Sequence, residues 1–482
     1  MRLRLLFMVL GLLVLVTGLA GLAVAAIGHL YAEADAVPFF WFGAAASGVG
    51  GALFLGLRTR DEVSERDGFV IVSGGWIVVS AAGALPFLLT GTTTSITDAF
   101  FESVSGFTTT GASVLTDYAS LSHSILLWRS LAQWLGGGGI LLFVLVILPS
   151  LGVGGMQLYK REASGIYSEK LTPKLRDTAR AIWSVYVLLT GAEALALWGL
   201  GMSPFEAVNH AMATIATGGF GTRADSISGF RSPAIEWTLI LFMYLGALNM
   251  ALHYRLIRSH GRVWSYLRSE EWRFYTLAMV VISLGMAGWL VLQLGYEPTA
   301  ALTKATFQVL SIGTTTGFAS DDYVLWGPGP QFVLLLLMLA GGCAGSTAGG
   351  LKWVRVVVLF KSIRMELLTL LHPRLLMVTK IDRQRLEPTL LRTIFVFFFL
   401  YLATMGAATT VMTLTGNSIA TSLGAVAASM ASVGPGLDAV GPAATYAPLH
   451  DVDKWALIAA MLLGRLELMT LYVFLLPEMW RR

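Results

Sequence analysis

An all-α integral membrane fold of ten transmembrane helices is what this sequence predicts: an N-terminal helix pair, then four pseudo-repeats of helix, re-entrant pore loop and helix around one central pore. Three observations predict it. Of the 482 residues, 55% are apolar and only 13% charged, with a mean hydropathy of +0.70, which leaves too little polar surface for a soluble globule. Ten stretches approach the ~20 apolar residues that a helix needs to cross the hydrocarbon core. A Thr/Gly-rich segment recurs four times between them.

The apolar stretches lie at roughly 5–27, 37–57, 69–90, 123–148, 179–201, 234–256, 272–294, 331–357, 391–415 and 454–477. The first follows Met1-Arg2-Leu3-Arg4 and ends near Ala23-Val24-Ala25, superficially like a secretory signal. Its apolar run exceeds the roughly 7–15 residues of a signal h-region, and its removal would leave an odd number of spans, so it reads as a span. The expected units are the helix pair at 1–68 and repeats at 69–158, 159–262, 263–372 and 373–482, the third with a broken second helix. Trp41, Trp128, Trp237 and Trp326, near span ends, read as interfacial anchors. Cys343 is the only cysteine, so this chain alone builds neither a disulfide nor a thiolate metal cluster.

Orientation follows from charge. Segments 28–37, 91–122, 202–233, 295–330 and 416–453 together contain only Arg223, Arg231 and Lys304 as basic residues. The alternate loops carry Arg58, Arg60, Arg66, Lys160, Arg161, Lys170, Lys174, Arg176, Arg180 and the basic runs 255–273, 361–392 and 481–482. The positive-inside rule places these in the cytoplasm, with both termini. The net charge of +4 therefore reflects topology and membrane lipid, not a nucleic-acid partner.

Setting Gly111, Gly219, Gly317 and Gly434 in register aligns residues 98–111, 206–219, 304–317 and 421–434. Each copy runs from a helix-compatible segment into a Thr/Ser/Gly turn: Thr109-Thr110-Gly111, Thr217-Gly218-Gly219, Thr315-Thr316-Gly317 and Ser432-Val433-Gly434. Non-helical backbone at membrane depth must be packed in protein or line a water-filled cavity, so four such loops imply a shared axial cavity. Glycine permits the positive-φ backbone that turns carbonyls toward an axis, where they replace an ion's hydration shell. Pore helices entering from outside point partially negative C-terminal ends at the membrane centre, favouring a cation. The outer acids Asp98, Glu102, Asp117, Asp321, Asp322 and Asp438 are expected to concentrate cations at the mouth.

At these residues the chain resembles the superfamily of potassium transporters that includes bacterial TrkH, TrkG and KtrB and plant HKT proteins, bacterial TrkH most of all. Phe107-Thr108-Thr109-Thr110-Gly111, Ala216-Thr217-Gly218-Gly219-Phe220, Thr314-Thr315-Thr316-Gly317-Phe318 and Val433-Gly434-Pro435-Gly436 resemble its filter segments, and the run Gly341 to Gly350 its intramembrane gate loop. The resemblance implies K+ as the transported ion, bound at the filter, since glycine stands at all four filter positions. It implies a homodimer in the bacterial inner membrane, opened under control of a cytoplasmic ring of TrkA-like nucleotide-binding subunits. No G-x-G-x-x-G fingerprint after a strand is present, so nucleotide regulation would have to come from that partner.

Gly341, Gly342, Gly345, Gly349 and Gly350, with Ser346 and Thr347 among them, interrupt an otherwise apolar run, so a continuous helix is not expected there. The favoured reading is a loop beneath the filter that moves aside, glycine supplying the hinge freedom; the alternative is a close helix–helix contact. Arg465 lies within a span, where a lone arginine is unfavourable by roughly 2.5–3.5 kcal/mol. The resemblance implies an electrostatic barrier in the pore; the alternative is a structural pair with Glu467 or Glu193. Lys352 either steadies the loop's carbonyls or snorkels to the interface. Arg129, Glu193 and Asn249 read as buried structural contacts, and the basic segment 361–392, partly helical, suits either a regulatory subunit or anionic lipid.

An inverted-repeat secondary transporter would alternate the orientation of its repeats, whereas these four loops share one side. An intramembrane enzyme would need a nucleophile and base, a carboxylate pair or a metal cluster at depth, and none stands out; H-E-x-x-H and G-x-S-x-G are absent. The remaining alternative is a sodium-permeable or ion-coupled cation transporter.

Overall fold

The computed structural model describes residues 2–59, 64–142, 175–259, 263–372, 379–382, 384–466 and 468–480. It is helical nearly throughout. Among the described residues the only strands form a two-stranded antiparallel hairpin, Lys380–Ile381 with Gln384–Arg385, inside the basic segment expected to be partly helical.

Among the described residues six continuous helices are long and apolar enough to cross a membrane: Leu3–Leu30, Ala36–Gly56, Arg66–Leu89, Asp177–Gly199, Glu270–Leu294 and Pro388–Leu414. The other four expected spans take different forms. His123–Leu142 is helical, and the rest of that stretch lies outside the described residues. The run 331–357 is interrupted as expected, by a loop between Pro328–Ala340 and Trp353–Leu371.

Two stretches read as continuous are broken. Residues 234–256 form Pro233–Gly246 and Met250–Arg258, bent by 97° to one another. Asn249 caps the second piece by accepting from the Ala251 N–H, and the Met250 N–H donates to the Gly345 carbonyl, so the bend is made by contact with the glycine loop. Residues 454–477 divide into Asp451–Arg465 and Leu468–Leu475.

The first two helices touch backbone to backbone. A Cβ added at Gly18 would lie 2.4 Å from Ser47 N, one at Gly50 2.4 Å from Leu15 N, and one at Gly43 2.7 Å from Leu22 N. In lipid, where no hydrophobic force draws helices together, such close approach supplies the van der Waals contact. Two expected anchors are core residues instead. Trp128 and Trp326 are buried, their indole N–H groups donating to Gly83 O and Asp321 Oδ2, while Trp41 and Trp237 are exposed.

Four of the short helices precede the aligned turns: Ile96–Phe107, Pro204–Ile215, Pro298–Gly313 and Ile419–Ala431, of 12, 12, 16 and 13 residues. At 1.5 Å per residue they reach about 18–24 Å, short of the ~30 Å core. Ser95, Ser203 and Ser418 cap three of them by accepting from the N–H three residues on; Glu297 caps the other, which begins earlier than the sequence register suggests. All four bury their C-terminal halves in the protein interior.

Candidate functional site

Each short helix ends in the same turn. The N–H of Thr110, Gly218, Thr316 and Val433 donates to the carbonyl five residues back, at 2.8 Å in all four. The residue before it is left-handed in each copy: Thr109 at φ 54°, Thr217 at 54°, Thr315 at 60° and Ser432 at 55°. Two residues further, Gly111, Gly219, Gly317 and Gly434 have φ of 82°, 77°, 85° and 99°. β-branched threonine in this region is strained, so three threonines there must be held by their surroundings.

The four turns meet in cyclic order. A Cβ built on Gly111 would fall 2.1 Å from Gly218 O, one on Gly219 2.0 Å from Thr316 O, one on Gly317 1.8 Å from Val433 O, and one on Gly434 2.8 Å from Thr110 O. Each glycine thus faces the carbonyl of the next turn, and the fourth closes on the first. Any side chain at these positions meets both a positive φ and a neighbouring carbonyl.

Beneath lies the glycine-rich loop, and all the residues singled out there take part. Gly341 leaves its helix at φ 69°, packed so closely on the returning strand that a Cβ would lie 2.2 Å from Gly349 O; Gly350 meets Gly341 in the same way. Gly342 accepts from the Trp353 N–H, and Gly345 O from Met250. Ser346 Oγ donates to Cys343 O. Thr347 Oγ1 donates to Ile215 O at 2.8 Å and Gly246 O at 3.2 Å, tying the loop to the end of the second short helix. The Gly349 N–H donates to Thr315 Oγ1 at 2.8 Å, and a Cβ on Gly349 would fall 2.0 Å from Ala431 O. The loop therefore touches the undersides of the second, third and fourth turns.

Both basic residues converge on this loop. Arg465, buried, donates from Nη1 to Thr347 O at 2.8 Å, and the break after it frees the helix end to reach there. Glu467 lies outside the described residues. Lys352, at φ 73° and buried, donates from Nζ to Ala348 O, so it steadies a loop carbonyl rather than snorkelling. Sequence reasoning missed Glu271. Buried at the start of Glu270–Leu294, it accepts from the N–H groups of Ala344 and Val354 and so clasps both ends of the loop segment. Acidic residues at a helix start are too common to have flagged it.

The expected ring of outer acids is smaller than the sequence suggested. Glu102 is fully buried, paired with Arg129 at 2.7 Å and accepting from Ser113 Oγ and the Val114 N–H, because its short helix turns that face inward. Arg129 also stacks on Phe220, 4.0 Å from the ring centroid, and donates to Gly221 O. Asp98 pairs with Lys454, and Asp321 accepts from Tyr296 and Trp326. Asp322 accepts from the Val324 N–H. Asp117 and Asp438 stay exposed. Hydrogen bonds from the Ser418 and Thr421 hydroxyls hold the Asp438 carboxyl below its ordinary range, so it is ionised at neutral pH.

Among the described residues no group of three His, Cys, Asp or Glu side chains could hold a metal ion. A family model for TrkH, described as a cation transport protein, matches residues 37–481. The chain is 40% identical over 435 residues to the Trk system potassium uptake protein TrkH of Salmonella typhimurium, covering 88% of each. It is 37% identical over 487 residues to the TrkH of Halomonas elongata, covering 100% of each. The crystal structure of the potassium transporter TrkH from Vibrio parahaemolyticus superposes with a TM-score of 0.91 at 36% identity, over 100% of both chains.

Proposed function

The chain belongs to the TrkH family of cation transport proteins, transporters rather than enzymes, and from that premise we propose that it takes up K+ across the bacterial inner membrane through the ring of four turns. The observation that carries this reading is the cyclic closure, each glycine facing the next turn's carbonyl. Carbonyls so arranged replace the hydration shell of a monovalent cation. The short helices direct their partially negative ends at the same point, which favours a cation and repels an anion.

In this reading Thr109-Thr110-Gly111, Thr217-Gly218-Gly219, Thr315-Thr316-Gly317 and Ser432-Val433-Gly434 form the filter, the loop 341–350 with Lys352 is the gate, and Arg465 sets an electrostatic barrier below the filter. Its guanidinium at Thr347 O supports that role. The ten-span architecture completes the proposal, with its helix pair at 1–68, its repeats beginning at 69, 159, 263 and 373, and both termini cytoplasmic. So do a homodimer and a cytoplasmic nucleotide-binding ring acting on the gate, both carried by family membership.

The test is 86Rb+ uptake into proteoliposomes, competed with K+, Na+ and Li+, for the wild type, Gly317→Asp and Arg465→Ala. Uptake blocked by K+ but not by Na+ or Li+, abolished in Gly317→Asp and raised in Arg465→Ala, is the expected result. Flux equally sensitive to Na+ would overturn the potassium filter.

A further inference from the structure

Although the four turns share a backbone, two different sets of side chains hold them. In the first and third, a serine at the helix end reaches over the turn: Ser105 Oγ donates to Ala112 O at 2.6 Å, and Ser311 Oγ to Phe318 O at 2.5 Å. A pair of hydroxyls then closes each turn, Thr108 with Thr110 and Thr314 with Thr316, both at 2.8 Å. The second and fourth turns lack all three hydroxyls. Ala213, Ala216 and Gly218 occupy those positions in one, and Ala428, Ala431 and Val433 in the other. The fourth is held by tyrosines, Tyr446 donating to Gly434 O and Tyr323 to Gly436 O.

The second turn, with two successive glycines and inside it only the bond from Thr217 Oγ1 to Ala216 O at 2.7 Å, is held by Gln133. From the helix His123–Leu142 this fully buried amide donates through Nε2 to Gly218 O at 2.6 Å and accepts through Oε1 from the Phe220 N–H at 3.1 Å. It thereby pins the backbone on both sides of Gly219. On the same helix face Arg129 donates to Gly221 O, and Gly136 lets the helix approach so closely that a Cβ there would lie 1.9 Å from Phe107 O. Gly464 approaches Met430 O in the same way, and Gly246 lies beside Ile215 O. Three residues before those two glycines stand Met461 and Met243, which can make neither of Gln133's bonds.

We propose that Gln133 is a positioning residue for ion discrimination, fixing the Gly218 carbonyl so that the second turn cannot follow a smaller, dehydrated ion inward. This rests on the reading of the four turns as a filter. Gly218 O is the member of the ring that Gly111 faces, equivalent to Thr110 O, Thr316 O and Val433 O, and a glycine pair gives it the least intrinsic stiffness of the four. An amide donor 2.6 Å away supplies the stiffness from outside.

The experiment measures 86Rb+ uptake into proteoliposomes holding the full chain, with the inhibitory concentrations of Na+ and K+ determined for the wild type, Gln133→Glu, Gln133→Met, Gly218→Ala and the double variant Gln133→Met/Gly218→Ala. Gln133→Glu keeps the shape and the acceptor but loses the donor. Gly218→Ala attacks the same contact from the other side, since its Cβ would fall 2.4 Å from Gln133 Cδ. Wild-type uptake without preference for K+ over Na+ would count against the filter reading itself. With that preference present, the expected result is a fall of about tenfold or more in the Na+/K+ inhibition ratio in each single variant, with flux retained in the two Gln133 single variants and the double variant's ratio no lower than either. An unchanged ratio in active single variants would overturn the proposal, and so would loss of folding in all of them, which would make Gln133 a packing residue only.

Discussion

The ring of turns and the glycine loop beneath it are both irregular backbone at membrane depth, yet they are held in different ways. Each turn of the ring is closed by its own backbone, with side chains from outside added at the second and fourth turns. Its geometry is set by backbone bonds repeated at 2.8 Å in every copy and by carbonyls that leave no room for a Cβ. The loop is held by side chains from other elements, Arg465 on Thr347 O, Thr315 on the Gly349 N–H and Glu271 on the N–H groups of Ala344 and Val354, by its own Thr347 on Ile215 O, and by backbone bonds to Met250 and Ala247. A turn closed by a backbone bond to its own helix keeps its shape as a unit. A loop bound through a few side-chain contacts, each worth about 1 kcal/mol or somewhat more where a charge is involved, can be released and recaptured. In the proposed reading, selection and gating are thus assigned to layers that differ in the bonds that hold them.

The sharpest way to break this comparison is to place a methyl group in the ring. Gly317→Ala puts a Cβ 1.8 Å from Val433 O at a φ of 85°. Rb+ uptake is expected to fall about a hundredfold, a loss consistent with strain of a few kcal/mol at such positions. Near-normal uptake would mean that the ring yields, and the distinction would fail.

Arg465→Ala acts in the other direction. It removes a tether and, in the proposed reading, a positive charge from the conduction path, and basal uptake is expected to rise about tenfold, equivalent to roughly 1.4 kcal/mol, with K+ preference intact. A loss of selectivity in this variant would place the arginine in the filter layer instead.

Thr315→Val separates the layers more finely, because Thr315 belongs to the ring by its backbone and to the loop by its hydroxyl. Losing one hydrogen bond of about 1 kcal/mol should raise basal uptake a few-fold and leave the Na+/K+ competition ratio unchanged. A changed ratio would show that the two layers are mechanically one.

The smallest effect lies outside both layers and calibrates them. Glu33, in the turn between the first two helices, binds Ser124 Oγ and the N–H groups of His123 and Ser124. Partial burial pushes its pKa up, but these hydrogen bonds outweigh burial and hold it below the ordinary 4.5. A depressed carboxylate stabilises the fold above the ordinary value and loses that contribution as pH falls through its own. Melting of the solubilised protein should therefore decline in acid less steeply for Glu33→Gln than for the wild type. Equal slopes would exclude Glu33 as the source.

The register of four Thr/Ser/Gly turns was legible because one backbone conformation recurs, and each copy needs glycine at the same step. Five glycines in ten residues likewise marked the break after Ala340. What escaped was imposed from a distance. The bend after Gly246 follows from a hydrogen bond to Gly345 in the next repeat, and no local signal in 234–256 announces it. Glu102 looks like a surface acid until its short helix is seen to present it to Arg129. Trp128 sits at the edge of an apolar stretch, as an anchor would, but packs between Phe39, Phe42 and Phe107. Side-chain pairing between segments far apart in the chain leaves no periodic trace, and Glu271 and Gln133 are legible only in three dimensions.

Because Gly434 of the last repeat closes on Thr110 of the first, the ring needs both ends of the message to be translated before it exists. A nascent chain carrying one, two or three turns has carbonyls but no closed circle, and hence no selective path for an ion to follow. Synthesis that stalls before Gly434 leaves an open set of turns and, in the proposed reading, no finished filter.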